Sequence, residues 1–184
     1  DDMKWEKLLS TKRHREVVAG TKLKEDLRSE FEKDYHRIIG SASFRRLQDK
    51  TQVFPLDKSD FIRTRLTHSL EVSSFAKSLG QNIGEYLLTY RKDQNFNWKR
   101  KEEICSILQC AGLIHDIGNP PFGHFGELAI QEWFQEHLPE MEYNGSTIDK
   151  VLTPQMREDL YHFEGNAQAL RLVSKLHFLV DEQG

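Results

Sequence analysis

Residues 113–127, LIHDIGNPPFGHFGE, gather four side chains able to bind metal or move protons: His115, Asp116, His124 and Glu127. Upstream, Ile104, Ile107, Leu108 and Ala111 recur at helical spacing and mark one apolar face. His115 lies four residues past Ala111, so the spacing points its imidazole toward the same face, with Asp116 beside it. A carboxylate and an imidazole buried together cost several kcal/mol unless something compensates both. A divalent metal does so, because it accepts neutral imidazole and carboxylate in one coordination sphere. The plain alternative is a hydrogen-bonded His–Asp pair, or an Asp that ends a helix. For a bare HD dipeptide that alternative is much the commoner.

A second imidazole changes the balance. His68 stands four residues before Val72 on a stripe of Val72, Phe75, Ala76, Leu79, Ile83, Tyr86 and Leu87. This predicts a helix capped by Thr67 and running to about Tyr90, with His68 facing inward. Two inward histidines and an adjacent Asp favour a metal over a lone pair. His124 and Glu127 are three apart where a second helix begins near Gly126, so they can share one side of it.

The elements that must position these residues read as helices. Phe31, Tyr35, Ile38, Ile39 and Ala42 predict an amphipathic helix from Ser29, and SASFRRLQDK adds another turn or two. TQVFPL, residues 51–56, is short, β-prone and stopped by Pro55. Residues 91–103 are a polar connection, and 104–117 form the helix leading to His115 and Asp116. GNPPFGHFG, residues 118–126, is too rich in glycine and proline for a helix, and its prolines stiffen it. Leu128, Ile130, Trp133, Phe134, His137 and Leu138 predict the next helix. PEMEYNGST reads as a loop. Thr153-Pro154 reads as a cap with proline at the first helical position. A last helix from His162 turns Ala167, Leu170, Val173 and Leu176 or His177 inward. The fold class expected is all-α with one short β element: an arm over 1–28 and a helical domain over 29–184.

Composition bounds the alternatives. At 184 residues, with 38% hydrophobic and 30% charged residues, the chain suits one globular helical domain. Its 29 acidic and 26 basic residues give a net charge of −3, which offers no global attraction to nucleic acid. No apolar run of about 18 residues occurs, so no membrane span is expected. The first ten residues are too polar for a secretory signal. Cys105 and Cys110 read as reduced thiols of a cytoplasmic protein.

Four blocks carry a resemblance: FRRLQDKTQVFPL (44–56), RTRLTHSLEV (63–72), AGLIHDIGNPPFGHFGE (111–127) and HFEGNAQALRL (162–172). In this order they resemble the HD-domain deoxynucleoside triphosphate triphosphohydrolases, specifically the bacterial deoxyguanosine triphosphate triphosphohydrolase (dGTPase) branch. The resemblance implies an HD-domain helical fold and hydrolysis of a dNTP, dGTP foremost, to deoxynucleoside and inorganic triphosphate. It implies His68, His115 and Asp116 as ligands of a divalent metal, Mn²⁺ or Mg²⁺. It implies His124, Glu127 and Glu164 as catalytic groups, Arg65 on phosphate, and Gln52 and Gln48 at the sugar 3'-hydroxyl. Asn119 and Asn166 are expected in the pocket. For Arg45, Arg46 and Lys50 a surface role is as fitting as phosphate binding.

The family's fourth metal ligand is an Asp on a later helix. Asp181 and Glu182 lie in no matching motif, so the C-terminal part of the family fold is expected to lie outside this chain, and the chain alone to hydrolyse little. Implied partners are the dNTP, further copies in a homo-oligomer up to a hexamer, an activating nucleotide and single-stranded DNA. Two rival readings are an HD phosphohydrolase acting on another nucleotide, and an inactive nucleotide- or nucleic-acid-binding subunit.

Overall fold

A computed structural model describes residues 4–12, 26–50, 63–91 and 94–176. The architecture is helical, as expected. Helices run α1 Trp5–Leu8, α2 Glu30–Gly40, α3 Ala42–Arg45, α4 Arg65–Tyr86, α5 Trp98–Ile114, α6 His124–His137, α7 Ile148–Val151, α8 Pro154–Tyr161 and α9 Gly165–Ser174. A 3₁₀ turn spans Arg46–Asp49, and a π-helical turn, Leu87–Arg91, follows α4. The chain divides into two compact units, residues 1–45 with 69–114 and residues 46–68 with 115–184.

In the first unit, α2 starts at a capping box. Ser29 Oγ accepts from the Glu32 N–H, and the Glu32 carboxylate accepts from the Ser29 N–H. Its half-buried Phe31, Tyr35, Ile38 and Ile39 follow the predicted stripe. Helices α2 and α5 pack together, and Cys110 Sγ lies 3.7 Å from the Phe31 carbonyl. Burial pushes the Cys110 thiol up to about 11. Both cysteines are free thiols. The N-terminal arm holds a short helix whose Trp5 ring meets Phe96, centroids 4.8 Å apart.

The face that α4 buries is not the predicted one. Ser69, Ser73, Gly80 and Gly84 are buried, whereas Phe75, Leu79, Ile83 and Tyr86 are exposed. Small residues let α4 and α5 approach closely. A Cβ on Gly112 would stand 2.5 Å from Ser73 Cα, and one on Gly80 would stand 3.2 Å from Cys105 Cα. Ser73 Oγ also donates to the Gln109 carbonyl at 2.8 Å. Apolar periodicity alone selected the large side chains; backbone approach selected the small ones. For the same reason α5 buries Cys105, Gly112 and Leu113 and leaves Ala111 exposed. The helix also starts at Trp98, six residues before the predicted 104, with Asn97 Oδ1 accepting from the Arg100 N–H.

In the second unit, α4 begins at Arg65 rather than after Thr67. Thr64 serves as the cap: its hydroxyl oxygen accepts from the Thr67 N–H at 3.3 Å. Helix α6 begins at His124, two residues before the expected Gly126. It packs with α8, and Gln131 Nε2 donates to the Phe163 carbonyl at 2.8 Å. Thr153 caps α8, with Pro154 in its first turn, as predicted. Helix α9 buries Gly165 and Ala169, while the predicted inward residues Ala167 and Leu170 face outward. Among the described residues of this unit, Leu47, Ile117, Leu138 and Ala169 are buried apolar side chains.

The predicted β element at 51–56 lies outside the described residues, as does His177. A hairpin occurs instead where a loop was expected. Glu142–Tyr143 pairs antiparallel with Ser146–Thr147. Its turn, Asn144-Gly145, has φ of 48° and 77°, the backbone that an Asn-Gly hairpin turn requires.

Candidate active site

Three donors converge in the second unit. His68 sits in the first turn of α4, and His115 and Asp116 follow the end of α5. One ligand atom from each lies within 4.8 Å of the others. The two imidazoles meet edge to face with centroids 5.2 Å apart. Among the described residues this is the one cluster of three or more His, Cys, Asp or Glu donors. Two imidazole nitrogens and a carboxylate form a donor set that fits a divalent cation.

Asp116 is held from two sides. Arg65 Nη1 donates to its Oδ2 at 2.8 Å, and both side chains are only 7% exposed. Asn119 Nδ2 donates to Oδ1 at 2.5 Å. Each carboxylate oxygen has a second lone pair, so acceptor capacity remains for a cation. His115 Nε2 stands 3.9 Å from Oδ1, too far for a hydrogen bond, so Asp116 and its neighbour do not consume one another. The imidazole of His115 is half-buried rather than inside the core.

Arg65 and Asn119 are anchored in turn. The Arg65 N–H donates to the Lys50 carbonyl at 2.8 Å, and Lys50 Nζ donates to the Asn119 carbonyl at 2.9 Å. Partial burial, with the Arg65 charge nearby, holds the Lys50 ammonium below the usual lysine range.

A second His–carboxylate pair occupies the first turn of α6. His124 Nδ1 and Glu127 Oε2 are 2.6 Å apart. The imidazole is 92% exposed and the carboxylate 9%. Glu127 Oε1 accepts from the Gly165 N–H at 2.7 Å, which fixes the carboxylate behind the ring. Gly165 must lack a side chain. A Cβ there would collide with Asn119 Oδ1 and come within 2.8 Å of Glu127 Oε1.

The structure therefore brings together His68, His115, Asp116, Arg65 and Asn119, and it joins His124 to Glu127. Other predicted residues have contacts of their own. Glu164 caps α9, its carboxylate accepting from the Ala167 N–H at 2.8 Å and from Asn166 Nδ2. The backbone N–H groups of Ala167 and Asn166 hold this carboxyl below the ordinary glutamate range. Asn166 is thus engaged with Glu164. Gln48 lies exposed on the 3₁₀ turn, and Gln52 lies outside the described residues. The sequence reading left Lys50 undecided and passed over Gly165. A glycine between the acid and the amide of HFEGN, where a helix starts, was the available signal for the latter.

Comparison with known proteins gives one family model, HD domain, matching residues 65–180. The chain is 58% identical over 182 residues to a deoxyguanosinetriphosphate triphosphohydrolase-like protein of Listeria monocytogenes, covering 99% of this chain and 39% of that protein. It is 44% identical over 176 residues to a like-named protein of Synechocystis, covering 95% and 38%. To a deoxyguanosinetriphosphate triphosphohydrolase of Salmonella schwarzengrund it is 41% identical over 184 residues, covering 85% and 35%. The chain spans about two-fifths of the length of these curated relatives.

Proposed function

Because this chain belongs to the HD domain family, we propose that the protein hydrolyses a deoxynucleoside triphosphate, dGTP foremost, to deoxynucleoside and inorganic triphosphate. The observation that carries the reading is the pairing of two unlike sites. One is a convergent His68–His115–Asp116 donor set, and the other is an exposed His124 backed by a buried Glu127. The relatives' names, which specify the triphosphohydrolase reaction, support the substrate.

In this reading His68, His115 and Asp116 hold a divalent cation. When bound, it supplies positive charge that polarises a phosphoryl group and lowers the pKa of water. The two imidazole donors favour a transition ion such as Mn²⁺ over Mg²⁺. Arg65 and Asn119 keep the Asp116 carboxylate aimed at the cation, a positioning role that replaces the direct phosphate contact expected of Arg65.

Water attacks the α-phosphorus, and the bond from phosphorus to the sugar 5'-oxygen breaks. An alkoxide is a poor leaving group and needs a proton. His124 delivers it, because its imidazole reaches solvent while Glu127 fixes the ring through Nδ1. Gly165 lets that carboxylate be held without steric conflict. Further copies in a homo-oligomer, an activating nucleotide and single-stranded DNA belong to the same proposal, supported by resemblance alone.

The test is product analysis. The protein as its gene encodes it is incubated with each dNTP and Mn²⁺ or Mg²⁺, and products are separated by anion exchange. Equimolar deoxynucleoside and triphosphate are expected. Release of pyrophosphate with a monophosphate, or of orthophosphate, would refute the reaction.

A further inference from the structure

Gly165 is buried at the start of α9, and its φ is not positive. Alanine could therefore adopt this backbone, and it suits a helix better than glycine does. What forbids a side chain is space. A Cβ at 165 would collide with Asn119 Oδ1, and it would stand 3.1 Å from Asn119 Cγ and 2.8 Å from Glu127 Oε1. One missing methyl group thus faces both sites. Asn119 is the amide that grips Asp116, and Glu127 is the carboxylate that holds His124.

The same end of α9 meets the loop that follows Asp116. A Cβ on Gly118 would collide with the Gly165 carbonyl oxygen and the Ala169 nitrogen, and it would stand 2.8 Å from the Gln168 carbonyl carbon. Loop and helix therefore touch backbone to backbone. The Gly165 N–H meanwhile donates to Glu127 Oε1 at 2.7 Å. The first turn of α9 is thus in contact with the support of Asp116 on one side and with Glu127 on the other. All of these residues belong to the second unit.

We propose that Gly165 is a positioning residue shared by the two sites. By leaving room for Asn119 and Glu127 together, it sets the separation between the His68–His115–Asp116 donor set and the His124–Glu127 pair. The inference rests on the roles proposed above for those sites and deepens them. A donor set at the phosphate end and an imidazole that protonates the leaving oxygen must keep a fixed separation. An error of about 1 Å in such placement can cost on the order of 10²-fold in rate.

The experiment is a double-mutant cycle on the protein as its gene encodes it. Mn²⁺ affinity is measured by calorimetry, and turnover of dGTP at saturating Mn²⁺. Gly165→Ala is expected to lower Mn²⁺ affinity about tenfold, because the new methyl displaces the Asn119 amide from Asp116. Asn119→Ala is expected to lower it by a similar factor. In the double variant the two losses do not add. Its affinity stays within about twofold of Asn119→Ala alone, since the oxygen that the methyl strikes is gone. Turnover behaves differently. Gly165→Ala lowers it on the order of tenfold in both backgrounds, because the conflict with Glu127 remains. A purely structural role for Gly165 would lower both quantities in both backgrounds.

Additive losses of Mn²⁺ affinity overturn the shared role, and so does wild-type affinity or wild-type turnover in Gly165→Ala. If Gly165→Ala does not fold, the double variant decides. A folded double variant with the Mn²⁺ affinity of Asn119→Ala upholds the contact, and one that also fails to fold overturns it. Additive losses in a protein that releases triphosphate sink the shared role alone. Non-additive losses without any triphosphate release sink the reaction and leave the positioning of Asp116 through Gly165 standing.

Discussion

The second unit holds two His–carboxylate pairs built from the same chemistry in opposite settings. In His115–Asp116 the residues are adjacent in sequence and are not hydrogen-bonded to one another, at 3.9 Å. In His124–Glu127 they are three apart on a helix and strongly bonded, at 2.6 Å. Both carboxylates are buried, but their partners differ. Asp116 takes a guanidinium and an amide, whereas Glu127 takes one backbone N–H and the imidazole itself. A carboxylate steadied by other groups is held in place independently of its neighbouring imidazole. A carboxylate bonded to its imidazole fixes the ring and raises the basicity of the far nitrogen. The first arrangement suits ligation and the second suits proton transfer.

The largest effect is expected from Asp116→Ala. It removes the anionic donor, and it also leaves the Arg65 guanidinium buried without its partner. Breaking a buried pair in this way costs about 3–5 kcal/mol. Divalent metal binding should vanish by calorimetry and Tm should fall steeply. Full retention of metal by a stably folded variant would break the assignment of this pair.

His124→Ala probes the other side. Turnover should fall by about 10²–10⁴-fold, with metal content by mass spectrometry unchanged. The exposed ring has little packing to lose, but the buried Glu127 carboxylate loses a hydrogen bond, so stability should fall by about 1–2 kcal/mol. Loss of metal here would mean that the two pairs share one function.

Arg65→Gln tests whether Asp116 is steadied from outside. The amide can still donate one hydrogen bond but carries no charge, so metal affinity should drop by about 10–100-fold. An unchanged metal affinity with a raised KM for dNTP would instead restore the direct phosphate contact for Arg65.

The sequence made the chemistry legible and the packing much less so. His68, His115 and Asp116 could be joined because helical spacing and residue type agree, and the structure brings them together. His124 and Glu127 could be paired because three residues on a helix place side chains on one side. The α4 stripe misled, since a period of 3.6 locates a face but cannot tell which face meets a neighbour. Glycines and serines at 69, 73, 80 and 84 share that period, and they form the buried face. The bond of Arg65 to Asp116, fifty-one residues away, was not legible, because local pattern carries no such information. That Glu164 also caps α9 could have been read from an acid standing directly before a glycine-led helix.

The smallest effect is expected at Lys50, whose ammonium donates to the Asn119 carbonyl and so supports the Asp116 side of the comparison from one step further out. Burial lowers its pKa in the folded state, and Arg65 adds to this, while Asp116 works the other way. The folded protein therefore holds this charge at a cost at neutral pH. That cost is relieved as pH rises through the folded pKa toward the unfolded value near 10.4. Lys50→Met removes both the cost and one hydrogen bond, so the net change at pH 7 should be about 1 kcal/mol or less. The pH series is more informative than the single value. Between pH 7 and 10 the Tm of the wild type should gain on that of Lys50→Met, because only the wild type sheds a strained charge. The metal affinity of the variant should fall only slightly, since Asn119 keeps its bond to Asp116. A Tm difference that moves the other way with pH would show that Lys50 is stabilised as a cation by its surroundings. It would then rank with Arg65 as part of the grip on Asp116.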